Sequence, residues 1–182
     1  MSNKGIVGSQ INECNPIVLT EIIMNDILVG LSPAEIVAIV SLFTDPIKSE
    51  IDDDQKNEYI ENKIIHDKYN RLNDIISKFR EIEVDISGAT PDYGEWDLSV
   101  SYIDMVLMWA NKATVPEMLE MLVLRGEYEG NFVKNMLKIS NIVHDIIGIC
   151  KMTEKINLLP VLEQIDSLIL RDFVSVSSLY LT

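Results

Sequence analysis

Apolar residues recur three and four positions apart through most of this chain, the spacing that places them on one side of an α-helix. The first run, Ile17 to Leu28, opens at Asn15-Pro16 and meets a stop signal at Gly30. Ser32-Pro33-Ala34-Glu35 then forms a capping box, in which the serine oxygen takes an amide proton and the glutamate reaches back. Its helix runs through Ile36, Ile39, Val40 and Phe43 and ends at Asp45-Pro46. The stretch 45–58 is acidic and reads as a solvated loop. From Gln55 to Glu83 the pattern predicts one long amphipathic helix (Tyr59, Ile60, Ile64, Tyr69, Leu72, Ile75, Ile76, Phe79). A loop from Val84 to Tyr93 follows, then a helix from Asp97 to Asn111.

Thr114-Val115-Pro116-Glu117 is a second capping box, opening a short helix to Leu124. Gly126 and Gly130 bracket a turn, and a helix follows from Asn131 to Lys151. Leu158-Leu159-Pro160 interrupts weakly, and a last helix reaches Val176. Val174 to Ser177 alternates over too few residues to make a strand. The reading is an all-α domain over residues 15–182, a bundle of about seven helices, with residues 1–14 as a tail or linker.

Charge narrows the functional classes. The chain has 15 basic and 29 acidic residues and a formal net charge of −14. Affinity for nucleic acid rests on neutralising phosphates, so this chain alone should bind it weakly. With 47% hydrophobic residues it has material for a core. Cys14 and Cys150 lie far apart, without metal-ligand spacing, and read as reduced buried thiols of an intracellular protein. No secretory signal opens the sequence, and no apolar run is long enough to span a membrane.

Stand-alone catalysis finds no support. There is no phosphate-binding Gly-rich loop ending in Lys-Ser/Thr, no DExH or DExD box, and no Gly-x-Ser-x-Gly elbow. His66 and His144 sit on separate helices and read as helix-surface residues. Met105, Met108, Met118 and Met121 form a stripe whose default role is packing. The segment from Thr114 to Ile142 has the outline of a helix-turn-helix and is less acidic than its surroundings. Lys134 and Lys138, four apart, share one helix face; on spacing alone this is as consistent with a solvated surface as with phosphate contact.

Four blocks carry a family resemblance. They are Ile17 to Ile23 with Leu28 to Glu35 and Ser41-Leu42-Phe43; Val106-Leu107-Met108-Trp109-Ala110; Tyr128 to Lys134; and Arg171-Asp172-Phe173-Val174 closing on Ser178-Leu179-Tyr180-Leu181. In order and spacing the chain resembles the C-terminal helical (DSHCT-type) domain of exosome-associated, Ski2-like DExH-box RNA helicases. Residues 4–11 look like the tail of the winged-helix domain that precedes it in that family.

The resemblance implies a bundle packed on upstream motor and winged-helix domains, closing a channel over single-stranded RNA during processing or decay. ATP and Mg²⁺ would belong to those motor domains and no cofactor to this segment; helicase cofactor proteins are implied partners, in the nucleus or cytoplasm. A long "ratchet" helix faces RNA in the family, and by motif match it begins at Asn131 here. Its RNA-facing positions fall on Lys134, Lys138 and Asn141, and a further acidic position falls on Asp45. Two departures bear on this. The family's Arg- and Glu-rich stretch is Leu137 to Asn141 here, and the glycine it has after Trp-Ala is replaced by Asn111-Lys112. Lysine makes looser phosphate contacts than arginine. A motorless protein-interaction module, using the acidic surface and the methionine face, is the alternative.

Overall fold

The structure, a computed structural model, describes residues 14–45, 47, 60–87 and 98–177. Every regular element among these residues is helical. In chain order they are α1 (Pro16–Met24), α2 (Pro33–Ser41), α3 (Lys63–Ser87), α4 (Ile103–Ala110), α5 (Val115–Leu124), α6 (Glu129–Met152), a 3₁₀ turn (Ile156–Leu158), α7 (Leu159–Leu162), α8 (Ile165–Ile169) and α9 (Asp172–Ser177). The all-α expectation holds. None of these helices is long and apolar enough to cross a membrane.

At the centre lies α2. Ala34, Ile36, Val37, Ala38, Ile39, Val40 and Ser41 are all buried, which leaves no solvated face. A helix that is apolar all round is covered on every side. Here α3, α4, α6, α7 and α8 all pack on α2. Its start is the predicted capping box: the Glu35 amide donates to Ser32 Oγ at 3.3 Å, and the Ser32 amide donates to Glu35 Oε2 at 2.8 Å. The Thr114–Glu117 box opening α5 has the same form.

The helix ends share one device. After α1, α4, α5 and α6 the chain takes one residue in the left-handed region: Asp26, Lys112, Gly126 and Glu154, with φ of 54°, 68°, 65° and 59°. Each time the next amide reaches back into the helix, from Ile27 to Ile22, Ala113 to Met108, Glu127 to Leu122 and Lys155 to Cys150. These are Schellman closures, which satisfy carbonyls the last turn would leave open. They explain why α1 stops at Met24 and not near Gly30: Asp26 has already turned the chain.

Other boundaries also differ from the sequence reading. Asn62 caps α3, its Oδ1 accepting from the Ile64 and Ile65 amides, so this helix starts well after Gln55. It continues through Ser87 where a loop was expected from Val84. The Asp97–Asn111 helix begins only at Ile103. Gly130 lies within the first turn of α6 and not in the preceding turn. The single C-terminal helix is instead α7, α8 and α9. Pro160 lacks an amide proton and sits in the first turn of α7, where none is required. Asp172, at φ 50°, breaks the path between α8 and α9. The tail through residue 13, most of the acidic loop, residues 88–97 and the closing Ser178 to Leu181 block lie outside the described residues.

Candidate nucleic-acid interface

The longest described helices are α3 and α6, and α6 carries the candidate residues. Its inner stripe is Phe132, Val133, Met136, Ile139, Ile142, Val143, Ile146 and Ile149, all buried. That burial fixes the rotation of the helix and turns Lys134 and Asn141 outward, both exposed, with Lys138 at the border. Lys134 and Asn141 are seven residues apart, roughly 10 Å along the axis. The three predicted positions therefore lie along one face.

The fold adds Asp45 to this face. The α2 chain ends in a turn held by Thr44 Oγ1 donating to the Ser41 carbonyl at 2.7 Å and by the Ser99 amide donating to the Leu42 carbonyl at 2.9 Å. Asp45 follows directly and reaches α6. Lys134 Nζ lies 2.7 Å from its Oδ2, and Lys138 Nζ lies 3.3 Å from its Oδ1. One carboxylate thus holds both lysines. The pairs stay wet, with side-chain exposures of 67% for Lys134, 24% for Lys138 and 53% for Asp45. The hydrogen bond from Lys134 holds the Asp45 carboxyl below its ordinary range, with Lys138 adding to it against some desolvation. In turn Asp45 raises the Lys134 ammonium.

Beside this cluster opens a cleft of about 600 Å³ between the start of α6 and the chain after α2, lined by residues including Asp45, Tyr102, Glu127, Tyr128 and Asn135. Sequence reasoning did not single out Tyr102, Glu127 or Asn135. Tyr102 is buried and donates its hydroxyl proton to Glu127 Oε2. Glu127 Oε1 accepts from the Tyr128 amide at 2.7 Å and from Asn131 Nδ2 at 2.8 Å. Desolvation first, then the Glu127 hydrogen bond and charge, push the Tyr102 hydroxyl well above its ordinary value; the Asn135 amide opposes them. Asn135 is 2% exposed, and its Oδ1 is buried without a hydrogen-bond partner. The signal for it was a polar residue inside an apolar stripe, between Phe132 and Ile139.

The other candidates are structural. Met105 and Met118 are fully buried and Met108 and Met121 partly so, in line with packing. His144 Nε2 lies 2.8 Å from Asp166 Oδ2, whose Oδ1 accepts from Ser140 Oγ at 2.7 Å, so the group ties α6 to α8. Cys150 is buried and Cys14 half-buried, and no disulfide joins them.

The described residues thus form an all-helical bundle that presents Lys134 and Lys138 on one side of its long helix α6. The family model for the DSHCT (NUC185) domain matches residues 1–177, and the chain belongs to that family. It is similar to the ATP-dependent RNA helicase mtr4 of Schizosaccharomyces pombe, with 24% identity over 180 residues. The match covers 98% of this chain and 15% of that helicase, so the chain spans well under a fifth of the relative's length.

Proposed function

We propose that this chain acts as the C-terminal helical domain of an ATP-dependent RNA helicase that processes or degrades RNA. In this reading it packs on motor and winged-helix domains in cis and holds single-stranded RNA along the outer face of α6. Lys134 and Lys138 contact successive phosphates, Asn141 adds a polar contact, and Asp45 belongs to the same site. Such contacts position a strand and read no sequence. ATP and Mg²⁺ are bound by the motor domains and helicase cofactor proteins dock on the assembly, inside the cell in nucleus or cytoplasm. The observation that carries the reading is the convergence of the two lysines on one exposed face of α6. It is joined to the family match and to the relative's name. The chain's charge of −14 fits a domain that borrows most of its affinity for RNA from others.

The test is the double change Lys134→Ala and Lys138→Ala in the helicase that carries this domain. The expected outcome is weaker RNA binding and slower unwinding with unchanged helical content. Unwinding at the unaltered rate would refute the site.

One feature favours a second reading, that of a motorless interaction module. Val123 and Leu124, at the end of α5, and Tyr128 just after it are 80%, 79% and 77% exposed. An antibody to this domain separates the two. A native band several times 20.6 kDa supports the helicase, and a band at that mass supports the module.

A further inference from the structure

The two lysines of the proposed RNA face are already occupied. Each points its ammonium at the carboxylate of Asp45, one to each oxygen. That carboxylate is delivered by a rigid element: α2 is buried on all sides, and the turn after it is pinned at Leu42 and Thr44. Lys138, at 24% exposure, is held along the protein surface, so its head has little choice of direction. A carboxylate bridging two ammonium groups makes the hydrogen bonds that a phosphate would make.

We propose that Asp45 is a built-in competitor for phosphate, a latch that restricts the α6 face to phosphates linked in a strand. The proposal rests on the RNA-holding reading of that face. A tethered carboxylate acts at an effective concentration of millimolar order, so a free phosphate at lower concentration loses to it. A polynucleotide presents neighbouring phosphates that are themselves tethered once the strand is held elsewhere, and these can displace Asp45 from both lysines together. Binding then costs the latch, which weakens each contact and lets the strand leave. A domain past which a strand must move is served by such contacts. Released from the lysines, the Asp45 carboxylate is free to accept a hydrogen bond from a ribose 2′-hydroxyl.

The experiment measures binding of a fluorescent oligouridylate to the helicase that carries this domain, without nucleotide, across a salt series, with inorganic phosphate as competitor. Asp45→Asn keeps the size of the side chain and removes its charge. The latch predicts that Asp45→Asn binds the oligonucleotide several-fold more tightly than the parent. Its log–log salt slope should steepen by about 0.7, the single-strand value for one further phosphate neutralised. Inorganic phosphate should displace the strand from Asp45→Asn at lower concentration than from the parent. Adding Lys134→Ala and Lys138→Ala to Asp45→Asn should erase the gain. Circular dichroism checks that the variants are folded; if Asp45→Asn is not, Asp45→Ser replaces it with the same expectation. Unchanged or weaker binding by Asp45→Asn overturns the latch, while the lysines stand if their double alanine variant still loses affinity. Unchanged binding by that double variant overturns the RNA face itself, and the latch with it.

Discussion

The guanidinium carbon of Arg171 lies over Trp109, 3.5 Å from the ring centre, and its Nη2 donates to the carbonyl oxygens of Trp109 at 2.8 Å and Ala113 at 2.7 Å. Trp109 is fully buried, sends its own indole proton to the Ile169 carbonyl at 2.9 Å, and meets Phe132 and Phe173 with ring centres 6.0 and 5.2 Å away. One side chain thereby ties α4 to the strap between α8 and α9. Arg171→Ala should destabilise the domain by about 2–3 kcal/mol, through lost charged hydrogen bonds and ring contact. Arg171→Lys should recover only part of it, because an ammonium cannot span both carbonyls and stack at once. Urea midpoints of the two variants check this order; equal stability of Arg171→Lys and the parent would contradict it.

Lys112 occupies a position suited to glycine. It closes α4 at φ 68°, with its amide donating to the Trp109 carbonyl at 3.0 Å and the Ala113 amide to Met108 at 3.1 Å. A side chain there carries a steric cost that glycine avoids, on the order of 1 kcal/mol. Lys112→Gly should therefore stabilise the chain by about 0.5–1 kcal/mol, partly offset by the looser unfolded chain. Thermal melts test the sign. A fall in melting temperature would mean that the lysine side chain contributes more than its backbone strain takes away.

Tyr102 supplies a pH signature. Its folded-state pKa is raised above the ordinary 10.0, chiefly by desolvation and then by Glu127. For a group raised on folding, the stabilisation is complete below the unfolded value and is lost as pH rises above it. The parent should lose stability more steeply than Tyr102→Phe from about pH 9 to about pH 12. Parallel slopes would show that the hydroxyl ionises equally in both states. At neutral pH the same substitution removes one of the hydrogen bonds to Glu127 and should cost about 1–2 kcal/mol.

Much of the fold was legible because its determinants are local. Both capping boxes, the α6 stripe and the helical period are written within single turns of sequence. The family blocks were legible for a different reason. Trp109, Phe132, Arg171 and Phe173 pack on one another, so most of these blocks report a core, while Lys134 at the end of the third lies on the exposed face of α6. Lys134 and Lys138 could be placed on one face from spacing alone, and Asn141 came in through the resemblance. Asp45 came in only through the resemblance, and its bond to Lys134 spans 89 positions, a relation no local pattern encodes. The helix ends were harder for a physical reason. Asp26, Lys112 and Glu154 adopt left-handed backbone that sequence rules assign to glycine, and packing imposes it. The C-terminal breaks at Pro160 and Asp172 likewise follow from how α7, α8 and α9 wrap onto α2, α4 and α6.

The central claim is that Lys134 and Lys138 face phosphates, and the salt dependence of single-stranded RNA binding tests it most directly. Affinity of the parent and of the Lys134→Ala, Lys138→Ala double variant would be measured from low to moderate salt. The account predicts weaker binding by the double variant, with a log–log slope shallower by about 1.4, two phosphates at the single-strand value of about 0.7 each. Two parallel lines with equal affinity would contradict it, and would return the lysines to the role of a solvated surface tied to Asp45.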